Sequence, residues 1–311
     1  MTRRLGTLVP IVAVVAVLCV LPFVLSDYNL GLAAEVGVFF IAVLGLNILT
    51  GYTGQISIGH GAFMMIGGYT TAIMSRDHHT NLIVTMLMAF ALCFVVGVLV
   101  GLPALRLSGV YLALATFAFA VSLPQLPLEW STFLGGRDGV ETSETVSNSW
   151  LYGVAWAASA ILFVLAWLIL RGRIGRAFRA VRDSEIAAVA SGVELPVYKT
   201  LAFGISAAFA GVAGSLFVLA TNGFAEPSEF GILLSLEILI GAAVAGLGSL
   251  WGVLVGAAFI GLLPNVSSSV PVIGSTHGQD VVFGAAVILV MLVLPSGAAG
   301  LIARLRGVAR A

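Results

Sequence analysis

Residues 51–68 read GYTGQISIGHGAFMMIGG, six glycines among eighteen residues, interleaved with Tyr52, Gln55, Ser57 and His60. Glycine lets a helix break inside a bundle, so that freed polar groups line a protected route for a solute. Gly54, Gln55, Ser57, Gly59 and His60 are the candidate walls of such a route. The same composition also serves close helix packing, with Gln55 and Ser57 bonded to a neighbouring helix. Ser57 and His60 lie three apart and could meet on one helical face as nucleophile and base, but nothing nearby supplies an orienting acid or an oxyanion hole. His78 and His79 lack further metal ligands at useful spacing, so a solvated loop is the default there. Glu35 and Glu237 fall within apolar runs, and a charge at bilayer depth costs on the order of 3 kcal/mol. Each must therefore be paired, protonated or turned to a wet cavity, either touching the route or bonding near a helix end.

The elements that must hold these residues are membrane helices. With 60% hydrophobic and 9% charged residues the chain could not present a soluble surface to water. Runs of the roughly 20 apolar residues a span needs occur at about 5–25, 30–49, 56–74, 82–101, 110–128, 151–170, 201–221, 232–247, 251–263 and 281–294. Some are short or interrupted by glycine, so eight to ten spans are expected. The first run follows Arg3 and Arg4 but ends without a small-x-small cleavage pattern, and it reads as a span. Cys19 and Cys93 sit inside predicted spans and say little about redox compartment. No polar stretch is long enough to bury a core of its own. The expectation is an all-α polytopic membrane protein, with residues 1–311 forming one transmembrane domain.

Charge assigns the sides. Twelve of the fourteen Lys and Arg residues lie in five stretches between apolar runs: Arg3 and Arg4; Arg106; Arg171, Arg173, Arg176, Arg179 and Arg182; Lys199; and Arg304, Arg306 and Arg310. These alternate with mostly acidic loops holding Asp27, residues 129–144, Glu226, Glu229 and Asp280. By the positive-inside rule the basic stretches, and with them both termini, face the cytoplasm.

The longest basic stretch, residues 171–200, predicts a helix with divided faces, spanning about 175–191. Arg173, Arg176, Arg179 and Arg182 recur every three residues, while Ile174, Phe178, Val181 and Ala188 fall on another side. Gly192 and Pro196 end it. Such a helix either lies on anionic lipid heads or inserts into a cytoplasmic partner. A second glycine-rich stretch, residues 241–261, carries Gly248, Gly252 and Gly256 at the spacing of a small-residue packing ridge, although its short flanking runs also suit a broken helix paired with the first.

Four blocks carry a family resemblance: LNILTGYTGQISIGHGAFMMIGGYTTA (46–72), SGVYLALATFAFA (108–120), GGRDG (135–139) and GRAFRAVRDSEIAAVASGVELPVYKTLAFGISAAFAGVAGSLF (175–217). Together they resemble the LivM-type permease subunits of branched-chain amino acid ABC importers. The resemblance implies that Arg179, Glu185, Ala187, Ala188 and Gly192 sit at an ATPase contact. It further implies a second, LivH-like permease subunit, two cytoplasmic ATPase subunits and an extracytoplasmic solute-binding protein. The membrane implied is a bacterial-type inner membrane. Where the general importer loop has Glu-Ala-Ala, three residues and Gly, this chain has Ile186-Ala187-Ala188 before Gly192, with Glu185 displaced by one.

Within these residues there is no Gly-x-x-x-x-Gly-Lys phosphate loop; the sole lysine is Lys199. The expectation is a non-catalytic transport subunit without cofactor or nucleic acid, driven by ATP that partner subunits hydrolyse. A stand-alone secondary carrier or channel for a small polar solute is the alternative, with Glu35 or Glu237 carrying a coupling proton.

Overall fold

The computed structural model describes residues 18–268 apart from 19, 23, 108 and 144, together with scattered positions between 284 and 300. The expected spans 5–25 and 281–294 lie largely outside the described residues. Among the described residues the regular elements are helices but for one small strand pair. Helix α1 (Asp27–Leu46) continues as a π-helical segment (Asn47–Tyr52), followed by α2 (His60–His78), α3 (Leu82–Ala104) and α4 (Val110–Ser122). Two short helices, α5 (Leu126–Glu129) and α6 (Ser131–Leu134), lead to strand β1 (Val140–Glu141) and then to α7 (Asn148–Arg171), α8 (Arg173–Asp183), α9 (Glu185–Ala190) and α10 (Leu195–Ala220). Strand β2 (Phe224–Ala225), a 3₁₀ turn (Pro227–Phe230), α11 (Ile232–Ala245) and α12 (Val253–Ser268) follow.

Among the described residues five helices are long and apolar enough to cross a membrane: Asp27–Tyr52, Leu82–Pro103, Val110–Glu129, Asn148–Arg171 and Leu195–Ala220. At 1.5 Å per residue the first is about 39 Å long, more than the hydrocarbon thickness of roughly 30 Å. Two shorter apolar helices, Ile232–Ala245 and Val253–Asn265, add to them. The protein is an all-α polytopic membrane protein, as its composition requires.

Helices α1 and α10 are buried on almost every side and form the centre, whereas α3, α4 and α7 keep long apolar faces outward. A helix that is apolar all round belongs in the interior of a membrane bundle. Helix α10 packs on α3, α2 and α1, and α7 lies along α1. The α2–α10 crossing is close because glycines meet backbone: a Cβ at Gly67 would overlap Gly211, and one at Gly214 would overlap Met64. Small residues let membrane helices approach in this way, and Ser215 Oγ donates to the Gly67 carbonyl across the crossing at 3.2 Å.

The two ends of the bundle differ in charge. At one end Asn148 Nδ2 donates to Asp27 Oδ2 at 2.9 Å, Ser143 Oγ donates to the Ser75 carbonyl at 2.7 Å, and Arg76 pairs with Asp77 at 2.6 Å. The Arg76 guanidinium, by its hydrogen bond, holds the Asp77 carboxyl below its usual range. There too β1 and β2 pair antiparallel, Val140 opposite Ala225 and Glu141 opposite Phe224. The arginines of α8 and the end of α7 lie at the opposite, basic end.

Two expected elements end differently in the structure, and a third is tightened locally. The run 56–74 becomes helical only at His60, because residues 54–59 form no helix and Gly54 stands at φ 73°. The run 110–128 forms the span Val110–Glu129, tightened to a 3₁₀ turn at Leu123–Gln125. The glycine ridge 248–252–256 is not helical throughout: the chain turns between Ala245 and Val253, with Gly246 at φ 86° and Gly248 at φ 81°. Side chains rarely adopt that left-handed region, which glycine enters freely.

Candidate translocation and coupling site

The first glycine-rich stretch is a genuine break. Thr50 Oγ1 donates to the Gln55 carbonyl at 3.1 Å, Thr53 Oγ1 donates to the Leu49 carbonyl, and Gln55 Nε2 donates to Thr53 Oγ1 at 3.0 Å. These bonds close the π-helical end with side chains where a continuing helix would have used backbone. Backbone groups of the break and of the first turn of α2 then find partners on other helices. The Ile58 N–H donates to Thr116 Oγ1 on α4 at 2.9 Å, and the Gly61 N–H to Ser235 Oγ on α11 at 2.8 Å. Gln55, Ser57, Gly59 and His60 are buried, while Gly54 and Ile56 are exposed on the outer side of the bundle.

His60, the first residue of α2, has Nε2 at 2.8 Å from Ser206 Oγ on α10. Ser206 Oγ itself donates to the Gly45 carbonyl at 2.6 Å, which uses its single proton. The hydrogen on this bond therefore comes from His60 Nε2, and Nδ1 keeps its lone pair. That nitrogen has no partner among the described residues although His60 is 1% exposed. Ser57 Oγ accepts from the Gly59 N–H at 3.3 Å, so the Ser57–His60 nucleophile and base arrangement is not assembled. Glu35 lies half-buried on α1 and Glu237 half-buried on α11. Asn47, Thr116, Ser206 and Ser235, each buried and each bonded to a break or its flanks, escaped the sequence reading. Their only signal was a polar residue inside an apolar run.

The basic loop also departs from expectation. The single helix over 175–191 is two helices, because Ser184 is extended (φ −166°, ψ 115°) and caps α9 by accepting from the Ala187 N–H. Serine favours that capping position over a helix interior. The apolar face of α8 is covered by its own chain: Phe178 is fully buried, edge-on to Tyr198 at 6.5 Å, and Val181 is buried with it. Arg179 Nη1 donates to the Leu170 carbonyl at 3.3 Å and so caps α7. Glu185 pairs with buried Lys199 at 2.7 Å. Ala188 points inward, whereas Ala187 and Gly192 are exposed, Gly192 at φ 82°. Ile186, 86% exposed, and Val189, 55% exposed, leave an uncovered apolar face on α9.

Comparison with known proteins agrees with this architecture. The family described as branched-chain amino acid transport system / permease component matches residues 28–292. The chain is 31% identical over 270 residues to the high-affinity branched-chain amino acid transport system permease protein LivM of Salmonella typhimurium, covering 77% of this chain and 63% of that protein. It is 31% identical over 278 residues to LivM of Escherichia coli, covering 79% and 65% respectively. The chain thus spans just under two thirds of the length of those LivM relatives. LivH of Salmonella typhimurium is 25% identical over 285 residues, covering 84% of this chain and 91% of LivH. No solved structure matched. A family match across most of the chain, with the helix break and basic loop in place, means that the protein belongs to the permease components of branched-chain amino acid transport systems.

Proposed function

We propose that this chain is the membrane-spanning subunit of an ATP-driven importer for branched-chain or related small amino acids, acting throughout residues 1–311 as one transmembrane domain. The observation that carries the energy source is α9. Outside the apolar bundle, on a basic loop, it presents Ile186 and Val189 bare on one face, with Val197 also exposed, while the large apolar side chains of α8 behind it, Phe178 and Val181, are covered. An apolar face so placed fits a groove on a protein partner. Cytoplasmic ATPase subunits are that partner, and Glu185, Ala187 and Gly192 flank the contact, with Arg179 and Ala188 supporting it from beneath. The basic end faces the cytoplasm of a bacterial-type inner membrane. This chain hydrolyses nothing and binds no cofactor; ATP is consumed by its partners.

The path for solute follows the break. Non-helical backbone at membrane depth is tolerated only against protein or a wet cavity, so the exposed side formed by Gly54 and Ile56 meets a second, LivH-like permease subunit or the solute route between the two. Gln55, Ser57, Gly59 and His60 line it, and Glu35 and Glu237 orient the broken helices. An extracytoplasmic binding protein delivers solute at the acidic end. Loaded binding protein and ATP favour different states of the bundle, since a ligand shifts an equilibrium only through differential affinity.

The test is a mild-detergent pull-down of the tagged chain from its native membrane, followed by ATPase assay and uptake in liposomes. Recovery of an ATPase and a second hydrophobic subunit, with uptake requiring ATP, is the expected result. Gly192→Pro and Arg179→Glu should each abolish coupled uptake while leaving membrane insertion intact. A lone chain that transports without ATP would replace this reading with a secondary carrier.

A further inference from the structure

Arg182 stands at the last turn of α8 and reaches out of the loop into the bundle. Its Nη1 donates to the Gly51 carbonyl at 3.0 Å. That carbonyl belongs to the π-helical segment, near a helix C-terminus where unsatisfied C=O groups carry partial negative charge and a cation is favourable. The stem of Arg182 lies against Gly54, where a Cβ would stand 3.2 Å from Arg182 Cγ. The other contact of the guanidinium, with Asp183 Oδ1 at 3.1 Å, is an exposed pair on its own helix and anchors nothing.

The second glycine break meets the first at the same point. A Cβ at Gly51 would overlap the Gly248 nitrogen, and one at Gly248 would lie 3.1 Å from the Gly51 carbonyl and 3.2 Å from Arg182 Nη1. Fully buried Asn47 ties the two breaks together. Its Oδ1 accepts from the Gly248 N–H at 2.8 Å, and its Nδ2 donates to the Ser249 carbonyl at 2.8 Å. Three discontinuities therefore converge on one guanidinium: the π-helical end, the non-helical residues 54–59 at Gly54, and the turn between α11 and α12. Two residues beyond Arg182, at Ser184, the same stretch of chain bends into α9.

We propose that Arg182 is the positioning residue through which movement of the α8–α9 loop reaches the helix breaks, resting on the reading of this chain as an importer subunit. When α9 is displaced by its partner, α8 carries Arg182 with it. The Gly51 carbonyl either follows or loses its cap, and the Asn47 clamp obliges the Gly248 turn to respond with it. Residues 54–59, which begin three positions after Gly51, are re-aimed by the same motion. Arg182 touches no solute in this scheme; it sets whether hydrolysis is converted into opening of the path.

The experiment uses the whole complex in proteoliposomes, with radiolabelled leucine as the probe, reading leucine accumulated per ATP hydrolysed. In Arg182→Ala that ratio should fall by about tenfold or more, the scale of losing a hydrogen bond to a charged group, while the ATPase subunits still co-purify and still hydrolyse ATP. Arg182→Lys, which keeps the charge and a donor, should restore part of the ratio, and Asp183→Ala should leave it unchanged. A wild-type ratio in Arg182→Ala overturns the proposal. Should that variant fail to assemble, hydrogen exchange on the unmodified complex decides: residues 47–59 and 246–252 should change together when a non-hydrolysable ATP analogue is added, and identical exchange with and without it also overturns the proposal. Failure of the importer reading has a different signature, since the wild-type chain then retains no ATPase or shows no ATP-dependent uptake, and the assignment of Arg182 falls with it.

Discussion

Glycine does two different jobs in this bundle. At the α2–α10 crossing, Gly67, Gly211 and Gly214 sit inside unbroken helices and bring backbone against backbone, and there Ser215 Oγ, which donates to the Gly67 carbonyl at 3.2 Å, only adds to a backbone already bonded within its helix. At the basic end, Gly51 and Gly248 also bring backbones together, but there the helices stop, and the freed groups are taken up by Asn47, Thr50, Thr53 and Arg182. The difference lies in what surrounds the glycines. A continuous helix satisfies its own backbone, so close packing costs nothing further. A broken one must import donors and acceptors, and every imported group becomes a handle by which another element can move it. The first region is built to stay; the second is built to be pulled.

That contrast can be broken at either side. The largest effect is expected at the packed crossing: Gly67→Val forces a side chain into the Gly211 backbone, and overpacking of this kind costs about 3 kcal/mol. Thermal unfolding in detergent should drop sharply, and uptake should fall only in step with the amount of folded protein. Asn47→Ala comes next. It leaves the Gly248 N–H and the Ser249 carbonyl without their partner, a loss of about 2 kcal/mol, and its uptake per ATP should fall further than its stability does. A fall in stability alone would erase the distinction drawn here between packing and handling. Ser206→Ala is the smallest, about 1.5 kcal/mol for the two side-chain hydrogen bonds it removes, from His60 Nε2 and to the Gly45 carbonyl. It frees His60 Nε2 at the start of α2, and a measurable change in the apparent KM for leucine, with insertion unaltered, would mark His60 as part of the path rather than of the core.

The sequence reading and the structure part company mainly at the breaks. The run 56–74 reads as one span, yet its first turn is replaced by non-helical chain in which Ile58 bonds to Thr116, and the new helix start bonds to Ser235 through Gly61. The ridge of Gly248, Gly252 and Gly256 has helical spacing, and only the positive φ of Gly246 and Gly248 shows that the chain turns there. Glycine is compatible with both outcomes, and local propensity does not choose between them. The pairing of the two glycine-rich stretches, which their short flanking runs allowed, is realised through Gly51 and Gly248. The loop 171–200 was read as one amphipathic helix; its period was correct for α8, but Ser184 found a better use as the cap of α9 than as an interior residue.

Composition and charge alone determined that this protein is a helical membrane bundle, and which of its loops share a side, because burial of apolar length and the retention of Arg and Lys are properties of segments taken one at a time. The family resemblance was likewise legible, since it rests on contiguous blocks. Tertiary structure alone decided where the helices break, that His60 answers to Ser206 and not Ser57, that the apolar face of α8 is covered while that of α9 is bare, and that Arg182 meets Gly51 beside the Gly248 turn that Asn47 holds. Each of these is a bond or contact between residues far apart in the chain, and the free energy of an unsatisfied buried group is settled only by what the fold brings next to it.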